Sequence, residues 1–270
     1  MLKAKVYDMN GTKEIVAFYA DALLPAEEKT TSIFSENRGY SSLSDDEKKA
    51  RNEEKSLRRT KSSIRRYCKT HNLRYMWTLT FAKKEVVVES KNGKVQVYDA
   101  GDLEDAWRMF KNFLRRCRKA GLDFKYVATV EVQEKRLEQY GEKVFHFHIA
   151  TDKAIPVNKE NAMKFRSKVW LTQFWTHGFV KVTKQKSARK FANAYLSKYI
   201  AKLVEEVPQA NQRYRVANNM EIPVEEFLFQ SEEELYLFAG SMGVVEYNNL
   251  FLVDDFLEIF YFDIRERDCK

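Results

Sequence analysis

The sequence predicts an α+β fold, in which a central antiparallel sheet carries helices on its face. Short runs that alternate between apolar and polar residues, and that are rich in aromatic and β-branched side chains, are typical of strands. Longer runs with a helical period separate them. The resulting order is strand, hairpin, helix, strand, strand, helix, strand and helix, which favours antiparallel pairing of neighbouring strands.

Polar and charged residues dominate the chain before this core. Residues 1–70 are therefore predicted to be a basic, helical extension, in which Ser44 or Asp45 caps a helix over residues 46–68. The lysine and arginine residues of 55–66 would give this helix a face that contacts phosphates. An ordinary solvated surface explains the same charges equally well.

The predicted sheet domain covers residues 71–207. Its strands are expected at 74–81, at 84–99 as a hairpin turning at Asn92–Gly93, and at 125–133, 143–151 and 179–185. Its helices are expected at 102–121, ending at Gly121, at 158–178 and at 187–206. Residues 134–141 are polar and are predicted to be a hairpin loop.

Charge divides the chain into two parts. Residues 221–270 contain thirteen acidic and three basic side chains, a net charge of −10, and because the whole chain carries +8, the first 220 residues carry +18. A body this basic favours nucleic acid as a partner, although a merely solvated basic surface would show the same excess. The acidic segment 208–270 is apolar enough to fold and is expected to pack on the core or on a partner, such as a host replication protein or helicase.

Other features argue against several classes of protein. No run is long and uncharged enough to span a membrane, and the N-terminus lacks the apolar core of a signal peptide. Cys68, Cys117 and Cys269 are widely spaced, which predicts reduced thiols in a cytoplasmic protein rather than disulfides or a zinc cluster. The sequence also lacks a phosphate-binding loop, so no fused helicase is indicated.

Two histidines lie close together in the strand-like run KVFHFHIATD. Because alternate residues of a strand face the same side, His146 and His148 share one face, while the apolar residues between and beside them face the other. Two imidazoles on one face are suited to metal binding, and a pair of hydrogen-bonded surface histidines is the alternative. His177, at a predicted helix end, is expected to cap or to pack.

The preceding strand supplies Glu131, with Gln133 on the same face. This glutamate follows a β-branched run that should bury it, and a buried carboxylate needs a partner such as a cation. Two imidazoles and one carboxylate suit Mn²⁺ or Mg²⁺, and zinc also accepts this set. A solvated glutamate at a sheet edge is the alternative.

The last predicted helix contains the run AYLSKYIAK. Tyr195 and Tyr199 are four residues apart and lie on one helical face, and Lys198 and Lys202 repeat that spacing on a neighbouring face. In most helices such residues are packed tyrosines and solvated lysines. Here they occur in a basic chain that also contains a candidate metal site.

Three runs, WTLTF, HFH with an upstream glutamate, and YLSKYIAK, resemble the motifs of the HUH endonucleases in family order, over about residues 74–205. In particular, the chain resembles the rolling-circle replication initiators of plasmids and small phages. The resemblance implies an HUH endonuclease-like fold and a set of site residues. These are the metal ligands His146, His148 and Glu131, a nucleophile that is Tyr199 or Tyr195, and the assisting residues Lys198 and Lys202.

The resemblance also implies a nick-and-join reaction on single-stranded DNA or an origin hairpin. A metal polarises the scissile phosphate, and a tyrosine hydroxyl attacks it to leave a 5′-phosphotyrosine and a free 3′-hydroxyl. Tyr199 is preferred as the nucleophile because the lysine before it resembles the phage-type motif. Conjugative relaxases and single-strand transposases share this chemistry, and a non-catalytic DNA-binding regulator could share the fold.

Overall fold

The computed structural model describes residues 1–20, 44–89, 92–184, 214–254 and 257–267. The chain separates into two compact units, Leu57–Met220 and Met1–Ser56 with Glu221–Lys270. This division differs from the three consecutive segments predicted from the sequence, because the two ends of the chain fold together. No helix within the described ranges is long and apolar enough to cross a membrane.

The described strands and helices confirm the α+β class with a central antiparallel sheet. The strands are β1 (Leu2–Asp8), β2 (Thr12–Tyr19), β3 (Tyr75–Phe81), β4 (Glu85–Glu89), β5 (Val95–Asp99), β6 (Tyr126–Val132), β7 (Phe145–Thr151), β8 (Gly178–Lys184), β9 (Tyr214–Val216), β10 (Val224–Phe229), β11 (Val244–Asp254) and β12 (Leu257–Arg265). The helices are α1 (Asp45–Thr70), α2 (Leu103–Lys119), α3 (Glu134–Tyr140), α4 (Lys159–Lys164) and α5 (Glu232–Met242).

The larger unit is built on a five-stranded sheet in the order β8–β3–β7–β6–β9, with β7 at its centre. All four pairs are antiparallel. Helix α2 covers one face, where the rings of Trp107 and Phe110 lie 5.1 and 4.9 Å from the ring of Phe147 on β7. Burying these large rings is the main apolar contribution to this face.

The predicted helix caps are present. Ser44 and Glu47 form a reciprocal pair before α1, because the Ser44 N–H donates to Glu47 Oε2 at 2.8 Å and the Glu47 N–H donates to Ser44 Oγ at 3.3 Å. At α2, the Asp105 N–H donates to the carboxylate of Asp102 at 2.9 Å. Gly121 follows the end of α2 with a left-handed φ of 73°.

The opposite face of this sheet is apolar at one end only. There, Ile64 and Cys68 of α1 pack with Met76 of β3, Val127 of β6 and Ala150 of β7. Cys68 and Cys117 are both buried free thiols, as expected for reduced cysteines. Burial raises the pKa of Cys117 to about 12, so this thiol stays protonated near neutral pH.

The connection between β6 and β7 is more ordered than predicted. Residues 134–140, expected within a loop, form helix α3, and Gly141 ends it with a left-handed φ of 66°. The Gly141 N–H donates to Leu137 O at 2.9 Å, which closes the last turn. Seven residues are too few to establish a helical period in the sequence, so the prediction missed this element.

The helix predicted over residues 158–178 is replaced by α4 and a single 3₁₀ turn over Leu171–Gln173. The chain leaves the helix so that Trp175 can enter the core, where its ring lies 4.8 Å from that of Phe81 and its Nε1–H donates to Thr80 O at 3.2 Å. Gly178, expected to stop that helix, begins β8. A Cβ there would lie 2.0 Å from Thr80 O, so only glycine permits this close approach.

The smaller unit is a second five-stranded antiparallel sheet, in the order β10–β1–β2–β12–β11. The N-terminal extension was predicted to be helical, but residues 2–19 are strands that pair with the C-terminal strands. This pairing joins segments more than two hundred residues apart, which local sequence patterns do not reveal.

Apolar burial and opposite charges hold the smaller unit together. Leu2, Ile15 and Phe262 are fully buried in its core, against Leu235 of α5. On the surface of its sheet, Lys3 Nζ lies 2.8 Å from a carboxylate oxygen of Glu226, across the β1–β10 pair. The acidic C-terminal segment thus folds against basic N-terminal strands of the same chain.

His177, between Trp175 and β8, is a packed residue as the sequence analysis expected. Its ring meets that of Trp175 edge-on with centroids 5.5 Å apart, and its Nε2 lies 3.3 Å from an NH2 of Arg116, which acts as the donor. Burial, and then the nearby Arg116 charge, lower the pKa of His177 from 6.5 to about 4.

We predict that His177 makes the fold less stable in mild acid. Its folded-state pKa lies below its unfolded value, so the unfolded chain binds the extra proton as pH falls below 6.5, and this loss of stability continues to about pH 4. His177→Gln keeps an acceptor for Arg116 but cannot titrate. In urea denaturation at pH 7 and pH 5, the wild type should lose more stability than the variant. Equal losses would contradict the prediction.

Candidate metal centre

Strand register brings Glu131, His146 and His148 together. Glu131 of β6 lies directly opposite His146 of β7, and paired residues of antiparallel strands place their side chains on the same face. His148 lies two residues along β7 and therefore points the same way. The three predicted ligands occupy the sheet face that α2 leaves uncovered.

The donor atoms of these side chains converge. Glu131 Oε2 lies 3.0 Å from His146 Nε2 and 2.9 Å from His148 Nε2, and the two Nε2 atoms are 3.2 Å apart. The side chains of Glu131 and His148 are 6% and 7% exposed, whereas that of His146 is 20% exposed. The cluster is thus buried on one side and open to solvent at His146.

These residues fit a divalent cation. Two ligands at right angles around an ion, each roughly 2.1 Å away, lie about 3.0 Å apart. The three observed separations, 2.9 to 3.2 Å, match that spacing. Because a buried carboxylate is costly without a positive partner, a cation would also stabilise Glu131. The donor set of two imidazoles and one carboxylate accepts Mn²⁺, Mg²⁺ or Zn²⁺.

Threonines on the two strands beside β7 orient His148. Thr78 of β3 and Thr129 of β6 are its register partners. Thr78 Oγ1 lies 3.4 Å from His148 Nδ1, and Thr129 Oγ1 donates to the His148 carbonyl at 3.4 Å. A contact at Nδ1 favours the tautomer that leaves Nε2 free to bind a metal. Sequence analysis missed these threonines, because their position beside the histidine depends on register.

The cluster opens into a cleft of about 700 Å³ that Glu131, His146 and His148 line together with α3. Arg136 anchors this helix, because one of its NH groups donates to Ala82 O at 2.7 Å and another lies 2.7 Å from Glu142 Oε2. Tyr140, at the end of α3, lines the same cleft and is 72% exposed. An exposed tyrosine in the sequence could not be assigned to the site without α3.

Gln133 has a structural role. Its side-chain amide donates to Phe145 O at 2.9 Å and to Phe81 O at 3.3 Å, so it ties the ends of β3 and β7 together. It lines the cleft beside Glu131. Its nitrogen is therefore committed to backbone carbonyls.

The predicted nucleophiles and lysines lie outside the described residues. Tyr195, Lys198, Tyr199 and Lys202 all fall within 185–213, as does the helix predicted over 187–206. Their roles stay predictions from the sequence.

We predict that the three clustered side chains bind Mn²⁺. His148→Ala and Glu131→Gln should each weaken Mn²⁺ binding by more than about 100-fold, because each removes a direct ligand, whereas loss of an outer contact in Thr78→Val should cost roughly tenfold. Isothermal titration calorimetry measures these affinities. His177→Gln is the matched control, since it removes an imidazole remote from the cluster. Wild-type affinity in both His148→Ala and Glu131→Gln would exclude this site.

Comparison with known proteins agrees with the region that carries the cluster. Residues 74–204 match the model of a family of replication-associated proteins, described under the name ORF2. This span is just under half of the 270-residue chain and contains β3, β6, β7 and β8. No curated protein and no solved structure matches the chain significantly. The family match supports a relationship to replication initiators and a role in replication initiation.

Proposed function

We propose that the protein is an HUH-type, metal-dependent endonuclease and ligase that nicks and rejoins single-stranded DNA at a specific site to initiate rolling-circle replication. The observation that carries the proposal is the convergence of Glu131, His146 and His148 on one sheet face, open to a cleft. The match of residues 74–204 to a replication-associated family supports the replicative role. The +18 charge of the first 220 residues supports a polyanionic substrate.

The proposed site divides its work between two groups of side chains. His146, His148 and Glu131 would hold Mn²⁺ or Mg²⁺, which as a Lewis acid would polarise the scissile phosphate and neutralise part of its charge. The exposure of His146 leaves that side of the cluster accessible to a phosphate oxygen. Thr78 and Thr129 fix the orientation of His148.

The covalent step belongs to Tyr199 or Tyr195. The tyrosine hydroxyl loses its proton and its oxygen forms a bond to phosphorus, while the bond from phosphorus to the 3′-oxygen breaks and that oxygen takes up a proton. Lys198 and Lys202 would stabilise the negative charge that develops. In the joining step a 3′-hydroxyl attacks the phosphotyrosine, which restores the phosphodiester and releases the tyrosine.

We predict a covalent adduct between the protein and single-stranded DNA of its own replicon in Mn²⁺, visible on a denaturing gel. His146→Ala should abolish it, and so should Phe at the attacking tyrosine, tested as Tyr199→Phe and Tyr195→Phe. Tyr140→Phe is the matched control, because Tyr140 lines the cleft and keeps its ring in that variant.

Each alternative gives a different gel. If Tyr140→Phe alone removes the adduct, the nucleophile is on α3 and not in the tyrosine–lysine run. If the protein binds origin-bearing DNA but forms no adduct with it, the protein is a non-catalytic DNA-binding regulator. Adducts confined to transfer-origin or transposon-end DNA would indicate a relaxase or a transposase.

A further inference from the structure

The face of the sheet that holds the metal cluster continues to its edge at β8. In register, Thr80 of β3 lies between His146 of β7 and Phe179 of β8. In the next row, Thr78 lies between His148 and Lys181. Paired residues share a face, so Phe179 and Lys181 point to the same side of the sheet as the metal cluster.

Phe179 is not a core residue. It is 72% exposed, whereas its strand neighbours Val180 and Val182 turn to the opposite face and pack against the core. A large exposed ring on an edge strand favours unwanted association and adds little to stability. Lysines protect sheet edges, which would account for Lys181, but this explanation does not extend to the ring beside it.

The position of this pair suits a nucleotide next to the metal. Neighbouring strands lie roughly 4.8 Å apart, so Phe179 and Lys181 are about 10 Å from the histidines of the same rows. Half-buried Thr78 and Thr80 fill the space between them. An aromatic face beside a cation is the combination that holds single-stranded nucleic acid, by stacking on a base and by contact with a phosphate.

The geometry points to Phe179 and Lys181 as a single-stranded DNA subsite on the β8 side of the metal centre. Phe179 stacks on a base of a nucleotide that flanks the scissile phosphate, and Lys181 contacts a backbone phosphate. This inference rests on the proposed function, because it takes single-stranded DNA to be the ligand of the metal-bearing face. Both residues position the substrate and take no part in the chemistry.

The test measures binding separately from cleavage. Fluorescence anisotropy of a labelled oligothymidylate of about 15 nucleotides, with the full-length protein in EDTA, reports binding alone. Phe179→Ala should bind roughly 5- to 100-fold more weakly, the loss expected for one base stack, and Phe179→Tyr should restore binding. Phe165→Ala is the matched control, because Phe165 is 75% exposed but lies outside the sheet.

Salt dependence tests the lysine. Lys181→Ala should reduce the slope of log affinity against log salt by about 0.7, the value for one phosphate contact on a single strand. Lys184→Ala is the control, because Lys184 pairs with Tyr75 and therefore points to the opposite face of the same strand. Both lysines are exposed, so neither substitution removes buried surface.

The results separate this inference from the proposed function. If Phe179→Ala binds like Phe165→Ala, and Lys181→Ala like Lys184→Ala, the subsite is overturned even when the wild type forms the covalent adduct. If the Phe179 and Lys181 variants show the expected losses while the wild type forms no adduct in Mn²⁺, the subsite stands and the nicking activity is refuted. A wild type that does not bind the oligonucleotide would overturn both.

Discussion

The alternation of side chains along β7 is the constraint on which the candidate site depends. β7 is the central strand of its sheet, and Phe147 is fully buried beneath α2 among Trp107 and Phe110. Because successive residues face opposite sides, burying Phe147 turns His146 and His148 towards the open face. A shift of one residue would bury both imidazoles in an aromatic core and expose the phenylalanine, so the apolar packing enforces the polar site.

Burial explains why the cluster is more than a group of neighbouring polar residues. The carboxylate of Glu131 is almost fully withdrawn from water, and a buried charge requires close partners. Two imidazole nitrogens at about hydrogen-bonding distance provide them in the protein alone, and a divalent cation would provide a stronger one. The fold thus places the least exposed members deepest, with His146 at the entrance.

The two faces of the larger sheet have separate tasks. The α2 face supplies stability through tightly packed rings, whereas the opposite face changes along its length from apolar contacts with α1 to the polar rows around the cluster. Helix α3, inserted between the two strands that carry the ligands, forms a wall of the cleft. The strand pairs that build the core therefore also set the positions of the site residues.

The sequence by itself determined what depends on near neighbours. The two-residue period of the HFH run placed both imidazoles on one face, Asn92–Gly93 marked the β4–β5 hairpin, and Asp102 and Gly121 marked the ends of α2, because caps, turns and alternation are local properties.

Only the tertiary structure decided what depends on residues distant in the chain. The partners of β1 and β2 lie at the opposite end of the sequence, Trp175 ends a predicted helix by entering the core, and register alone sets Thr78 and Phe179 beside the histidine rows. Pairing and packing across long separations have no local period, so they emerge only when the strands assemble.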